Sequence, residues 1–139
     1  MLIGEYFHSI DEKGRMNFPV KLRDELGEQF VVTRWLDDCL VVFSEGEMEN
    51  IVAKLKSQPM SGTRDIQRYI FANATTVEPD KQGRILIPAN LREKAGLKRD
   101  IVVIGVMDHA EIWDKERWEA KSGSVDADVI DEKMNELGI

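Results

Sequence analysis

The stretch that decides the fold is DEKGR at residues 11–15, because the chain repeats it as DKQGR at residues 80–84. Sliding the sequence by 69 positions aligns residues 11–27 with residues 80–96 and gives 7 identities, in the pattern D-x-x-G-R-x-x-x-P-x-x-L-R-x-x-x-G. The sequence therefore predicts one unit that occurs twice, over residues 5–47 and 76–119.

Each D-x-x-G-R stretch is typical of a hairpin loop. An aspartate that opens a turn accepts hydrogen bonds from the backbone ahead of it, and a glycine can take the positive φ that closes a short bulged loop. We therefore expect two loops, shaped by Asp11 and Gly14 and, in the second copy, by Asp80 and Gly83. The arginine after each glycine is expected at the base of the hairpin, where it points off the sheet into solvent.

Both copies continue with a short helix and two strands. In the first copy Leu22 and Leu26 share one helix face, and Gly27 ends the helix. Strands are predicted at residues 30–34 and 40–43, joined through Asp37 and Asp38.

The rest of the chain is predicted to be mostly helical. Ser44 and Glu47 have capping-box spacing, and a second helix is expected to start near Ser61, after Pro59. Residues 73–77 then predict the first strand of the second copy. Asp114 is expected to cap a later helix, and the last apolar stripe of the chain is Ile130, Met134 and Leu137. Core packing is the expected role of these stripes, with a subunit interface as the alternative.

Charge is distributed unevenly along the chain. The formal net charge is −7, which on its own argues against a nucleic-acid partner. Residues 108–139 hold ten acidic and four basic residues, a net −6, and residues 80–100 hold six basic and three acidic residues, a net +3. The acidic excess therefore lies in the C-terminal arm, and the repeated motif is free to present a basic face.

Nothing in the sequence indicates catalysis or a cofactor. Cys39, His8 and His109 form no ligand or nucleophile motif, and no phosphate-binding glycine loop is present. The single cysteine is expected to be a small apolar filler in a reducing cytoplasm. The chain has no apolar run of about 18 residues and no leader, so we expect neither a membrane-spanning nor a secreted protein.

Arg15 and Arg84 are the candidate functional residues. Arginine stays charged and offers a planar fork that suits phosphate oxygens or the O6 and N7 atoms of guanine. The alternative is an ion pair with the aspartate of the same loop that only stiffens the turn, and both roles are compatible. Lys13 and Lys81 lie in the same loops and are expected to add phosphate contacts. Arg23 and Arg92 also match between the copies, and for them solvation and DNA contact are equally open.

The order of strand, D-x-x-G-R, strand, short helix and strand pair resembles the AbrB-type (SpoVT/AbrB-like) swapped-hairpin DNA-binding unit. Two such units in one chain resemble the MraZ family of bacterial transcriptional regulators. Three further stretches fit that family, namely GEY at 4–6, DKQGRILIP at 80–88 and VVIGV at 102–106.

The resemblance implies a mixed α and β fold, a duplicated AbrB-like swapped-hairpin β-barrel with short helices and a C-terminal helix. It implies no enzymatic activity, cofactor, membrane or small-molecule substrate. The implied partner is double-stranded DNA at repeated promoter sites upstream of the protein's own operon, in the division and cell-wall gene cluster. It also implies a nucleoid-associated homo-oligomer in the form of a ring, and either a repressor or an activator is compatible with these residues.

Two other classes of function stay open at this point. One is an antitoxin that binds a toxin, because single-unit relatives of this fold resemble MazE-like antitoxins with acidic tails. The duplication and the apolar stripe in the tail argue against it. The other is a structural ring protein in which the loop arginines only stiffen their turns.

Overall fold

The computed structural model describes residues 1–139, and the first copy of the repeat forms a strand-rich unit. The predicted hairpin loops, short helices and strand pairs are present. The elements of the first copy are β1 (Leu2–Ser9), β2 (Arg15–Asn17), α1 (Val20–Leu26), β3 (Phe30–Arg34) and β4 (Leu40–Ser44).

Two helices connect the copies, and the second copy repeats the same order. The connecting helices are α2 (Glu45–Lys56) and α3 (Met60–Phe71). The second copy and the C-terminal arm comprise β5 (Thr75–Val77), β6 (Arg84–Leu86), α4 (Ala89–Ala95), β7 (Asp100–Met107), β8 (His109–Asp114), α5 (Lys115–Gly123) and α6 (Ala127–Leu137). The Ser44 hydroxyl accepts a hydrogen bond from the Glu47 N–H at 3.1 Å, which confirms the predicted cap of α2.

The strands of the two copies pair with each other rather than only within a copy. One antiparallel sheet has six strands in the order β1-β7-β8-β4-β3-β5, and β2 and β6 form a separate two-stranded ribbon. Four of these pairings cross between the copies: β1 with β7, β4 with β8, β3 with β5, and β2 with β6. Each copy therefore has strands whose hydrogen-bonding partners lie in the other copy. The boundaries 5–47 and 76–119 describe the sequence repeat and remain a prediction as domain boundaries.

The mixed α and β class is confirmed. The larger sheet ends at β1 on one side and β5 on the other, so its hydrogen-bonded ladder does not close on itself. Between the sheet, the ribbon and the short helices lies one main core of 19 buried residues, drawn from both copies. Phe18 and Phe30 meet in it with ring centroids 5.1 Å apart. Fully burying one such side chain contributes about 1.5–3 kcal/mol, so this core holds the two copies together.

Two local predictions were wrong. Asp114 precedes α5 but does not cap it, because the side chain is buried and its Oδ1 accepts the Lys98 N–H at 3.2 Å. The stripe of α6 is not core, since this helix buries none of its residues and Ile130, Met134 and Leu137 are 47, 40 and 75 % exposed. None of the six helices combines the length and the apolar character that spanning a membrane requires.

Candidate nucleic-acid interface

The first hairpin loop is held together by the carboxylate of Asp11. Its Oδ1 accepts hydrogen bonds from the backbone N–H groups of Lys13 and Arg15, both at 2.9 Å. Its Oδ2 accepts one from the Arg15 Nε at 3.1 Å. The backbone N–H of Arg15, together with its guanidinium, lowers the pKa of Asp11. The carboxylate is therefore ionised at neutral pH and shapes both the loop and the arginine.

The second loop has the same geometry. Asp80 Oδ1 accepts from the N–H groups of Gln82 and Arg84 at 2.9 Å, and its Oδ2 accepts from the Arg84 Nε at 3.0 Å. The Arg84 N–H again lowers the pKa of the aspartate. The replacement of Lys13 by Gln82 leaves this network unchanged, because only the backbone N–H at that position takes part.

The loop glycines adopt the predicted positive φ, +88° at Gly14 and +78° at Gly83. Each also joins its loop to the other copy. The Gly14 carbonyl accepts the Ile87 N–H at 2.8 Å, and the Gly83 carbonyl accepts the Phe18 N–H at 3.0 Å. The loops therefore close the two ends of the β2–β6 ribbon and are not free tips.

The two candidate arginines are partly covered. The side chains of Arg15 and Arg84 are 38 and 34 % exposed, so the expectation that they point freely into solvent was too simple. The ion pair with aspartate exists in both loops and uses Nε, while the two Nη atoms make no hydrogen bond within the protein. An arginine held at Nε keeps both Nη donors for a bidentate contact. The guanidinium can therefore stiffen its turn through Nε and bind a partner through its Nη atoms at the same time.

The β2–β6 ribbon brings the arginines onto one surface. Its buried side carries Met16 and Ile85, which face each other in register and are each 2 % exposed. Residues on either side of these two point to the opposite face because side chains alternate along a strand. That face, called here the ribbon face, carries Arg15 opposite Leu86 and Asn17 opposite Arg84.

Arg23 and Arg92, which the sequence left open, lie against the loop of the opposite copy. A Cβ on Gly14 would come within 2.9 Å of the Arg92 Nε, and a Cβ on Gly83 would come within 2.9 Å of the Arg23 Nη2. Arg92 Nε donates to the Ile87 carbonyl at 3.0 Å, whereas the buried Arg23 Nε has no partner. These side chains pack over the loops and are not simply solvated.

Two clefts lie at corresponding positions of the two copies, the first beside the ribbon and the second beside the loop at Asp80, and their linings differ in charge. The first cleft contains five basic and two acidic side chains: Arg15, Arg84, Arg92, Lys98 and Arg99 with Asp11 and Glu12. The second contains one basic and four acidic side chains: Arg23 with Asp24, Glu28, Glu78 and Asp80. The lining of the first cleft is therefore +3 and that of the second −3.

The family model described as "MraZ protein, putative antitoxin-like" matches the chain over residues 1–68 and 70–134. The chain belongs to the MraZ family. A relative from Acetivibrio thermocellus, named "Transcriptional regulator MraZ", is 51 % identical over 143 residues that cover all of both chains. Relatives with the same name from Clostridium botulinum (strain Alaska E43 / Type E3) and Thermoanaerobacter sp. (strain X514) are each 50 % identical, again over the full length of both chains. These names support a role in the regulation of transcription and point away from an enzyme.

The other residues singled out in the sequence of this MraZ-family chain have simple surroundings in the structure. Lys13 and Lys81 are exposed in their loops and form no ion pair. Cys39 is buried, as expected of a filler, and burial raises the pKa of its thiol. No group of three or more His, Cys, Asp or Glu side chains is placed to hold a metal ion.

Sequence reasoning missed part of the surface around the arginines. Asn17 and Leu86 share the ribbon face, and Lys98 and Arg99 line the first cleft. Asn17 and Leu86 could have been found from the strand alternation, since each stands two residues after a loop arginine. Lys98 and Arg99 could not, because their approach to the first loop depends on the pairing of β1 with β7.

Proposed function

We propose that the chain is a sequence-specific DNA-binding regulator of transcription that contacts duplex DNA through its ribbon face. The observation that carries this is the joint presentation of Arg15 and Arg84, each held by its own aspartate with both Nη atoms unused. A two-stranded ribbon fits the major groove, where such a fork can pair with guanine O6 and N7. Turn stiffening alone would not require both arginines on one surface.

Phosphate contacts are proposed around this centre. Lys13 and Lys81 extend from the two loops, and Arg92, Lys98 and Arg99 line the first cleft next to them. Such contacts release counterions and supply most of the affinity of a DNA-binding protein. The net charge of −7 is compatible with this because the acidic excess lies in residues 108–139, away in sequence from both loops.

We also propose that the fold is a duplicated AbrB-like swapped-hairpin barrel. The pairing of strands between the copies, in β1–β7, β4–β8, β3–β5 and β2–β6, supports it. In that arrangement the two halves of one chain take the places of two subunits in a single-unit protein.

The proposed target follows from the family resemblance. We propose that the chain binds repeated sites upstream of its own operon, within the division and cell-wall gene cluster, and acts in the cytoplasm at the nucleoid. Repeated sites suit a protein that presents several copies of one weak contact, because linked contacts add avidity.

A ring of identical subunits would provide those copies. The chain exposes two different apolar surfaces, the stripe of α6 and a cleft formed by Trp35, Leu36, Ile66, Tyr69 and Ile70. Contacts between unlike surfaces are head-to-tail and close into rings when the rotation permits. Light scattering should give a mass several times 15.9 kDa. A mass near 15.9 kDa at all concentrations would contradict the ring.

A gel-shift tests the DNA proposal directly. Parent protein is titrated against the duplex just upstream of its own gene and against a scrambled duplex of equal length and composition. We expect tighter binding to the upstream duplex, and stepwise shifts as successive repeats are filled. Equal affinity for both duplexes would overturn the sequence-specific role, and no shift with either would leave the loops as turn stiffeners.

A further inference from the structure

Residues 17 and 86 occupy the same position in the two copies but have opposite chemistry. Asn17 follows Arg15 by two residues, and Leu86 follows Arg84 by two residues. Their neighbours keep their character between the copies, since Met16 corresponds to Ile85. On the ribbon face this is the only position at which the copies differ, with a carboxamide in the first copy and an aliphatic side chain in the second.

Neither residue is needed by the fold. Leu86 is 54 % exposed between Ile85 and Ile87, which fill the core at 2 and 0 %. Asn17 is exposed, and its carboxamide makes no hydrogen bond within the protein. An exposed leucine and an unpaired carboxamide on one small surface are both available to a partner.

The register places both residues among the loop arginines. Leu86 lies directly opposite Arg15, and Asn17 lies directly opposite Arg84. Within each strand the two outward residues are roughly 7 Å apart, from two steps of strand rise. That distance is about two base-pair steps of a duplex, so the two opposite pairs of side chains can reach bases two steps apart in one groove.

We infer that Asn17 and Leu86 are specificity-determining residues that read bases beside the guanines contacted by the arginines. An asparagine carboxamide can donate to adenine N7 and accept from the adenine N6 amino group. An aliphatic side chain can contact the methyl group of thymine. The structure thus assigns an adenine next to the guanine of Arg84 and a thymine next to the guanine of Arg15. This inference depends on the proposed function.

One consequence is that the chain reads an asymmetric site. A protein with two equivalent loops would favour a palindromic site. The unlike residues at positions 17 and 86 instead favour different bases at the two ends of the site. The surroundings of the two loops agree with this, because the cleft beside the first loop is basic and the one beside Asp80 is acidic. Phosphates are therefore favoured more on the side of the first loop.

The two copies supply matched variants for the test. Asn17→Leu gives both copies the leucine, Leu86→Asn gives both the asparagine, and the double exchange swaps them. Each protein is used to select from a randomised duplex library, and base preferences are read by sequencing. Melting temperatures serve as a control and should match the parent, because both side chains are exposed.

The expected result is a change confined to particular bases. Asn17→Leu should reduce the preference for adenine over other bases by about 5- to 150-fold. Leu86→Asn should replace the thymine preference with adenine, and the double exchange should restore affinity on the site with the two ends interchanged. Variants that keep the parental base preferences, while the parent still selects a defined sequence, would overturn this inference alone. A parent that selects no sequence would overturn the proposed function as well.

Discussion

Replacing Gly14 by alanine tests how tightly the first loop is locked against the second copy. Gly14 is buried at φ +88°, and a Cβ there would lie 2.6 Å from the Ile87 carbonyl oxygen and 2.9 Å from the Arg92 Nε. The arginine can move, but the carbonyl belongs to the backbone that donates the Ile87 N–H to Gly14. The clash therefore acts on the β2–β6 ribbon itself.

The expected loss in the free energy of unfolding has two parts. Left-handed backbone costs a residue with a Cβ about 1–2 kcal/mol. Loss or distortion of the Ile87–Gly14 hydrogen bond adds about 0.5–1.5 kcal/mol. We therefore expect Gly14→Ala to lower the free energy of unfolding by about 1.5–3.5 kcal/mol.

Gly83→Ala is the matched control. Gly83 has φ +78° at the corresponding position of the second loop, and the atoms nearest a Cβ there belong to the guanidinium of Arg23, at 2.9 Å, so this variant carries the conformational cost without the backbone clash. Urea unfolding followed by circular dichroism, at one fixed protein concentration, compares the two variants with the parent. Equal destabilisation by Gly14→Ala and Gly83→Ala would show that the contact with the Ile87 carbonyl is not tight and would refute this reasoning.

Two further predictions concern His109 and Arg99. His109 Nδ1 and Nε2 contact Asp108 at 2.8 Å and Glu111 at 3.2 Å, and the hydrogen bond to Glu111 raises the pKa of His109. The contribution of His109 to the free energy of unfolding is therefore fully present below about pH 6.5 and is lost as the pH rises through the folded-state pKa of His109. His109→Gln should flatten this fall in the free energy of unfolding, measured in a pH series of unfolding curves. Arg99→Ala should lower the slope of log K against log salt by about one unit if it faces a phosphate, with no change in base preference. An unchanged slope would exclude Arg99 from the interface.

The local structure was predictable because its causes are local. The Asp11 and Asp80 loops, the positive φ of their glycines and the cap at Ser44 each depend on residues within a few positions of one another. The repeat made these predictions stronger, since the same physical argument held twice. Strand and helix positions followed in the same way.

The arrangement of these elements was not predictable from such arguments. The pairing of β2 with β6 joins residues far apart in sequence, and no local preference determines it. The role of Asp114 was not predictable for the same reason. Its carboxylate accepts a hydrogen bond from the Lys98 N–H, 16 residues earlier in the chain, and none from the helix that it precedes. The stripe of α6 has the period of a packed helix, but periodicity does not say whether the covering surface belongs to the same chain.

The candidate site was only half predictable for the same reason. The loop motif identified Arg15 and Arg84 directly. The position of Arg92 over Gly14 and the opposite charge of the two clefts depend on contacts between the copies. Matching positions in the sequence suggested equivalent loops, whereas the structure shows that their surroundings differ.

The central claim is that the loop arginines bind DNA, and a salt series on the upstream duplex tests it most directly. Affinity is measured for the parent, Arg15→Ala, Arg84→Ala and a chain that lacks residues 124–139. Arg68→Ala is the control, since Arg68 is an exposed arginine on α3 paired with Asp65 at 3.2 Å. We expect each loop variant to lose about 5- to 150-fold in affinity, or about one unit of salt slope if its arginine faces a phosphate. The control should keep the parental slope, and so should the truncated chain, provided that light scattering shows its ring to survive. Full affinity and an unchanged slope in both loop variants would contradict the account.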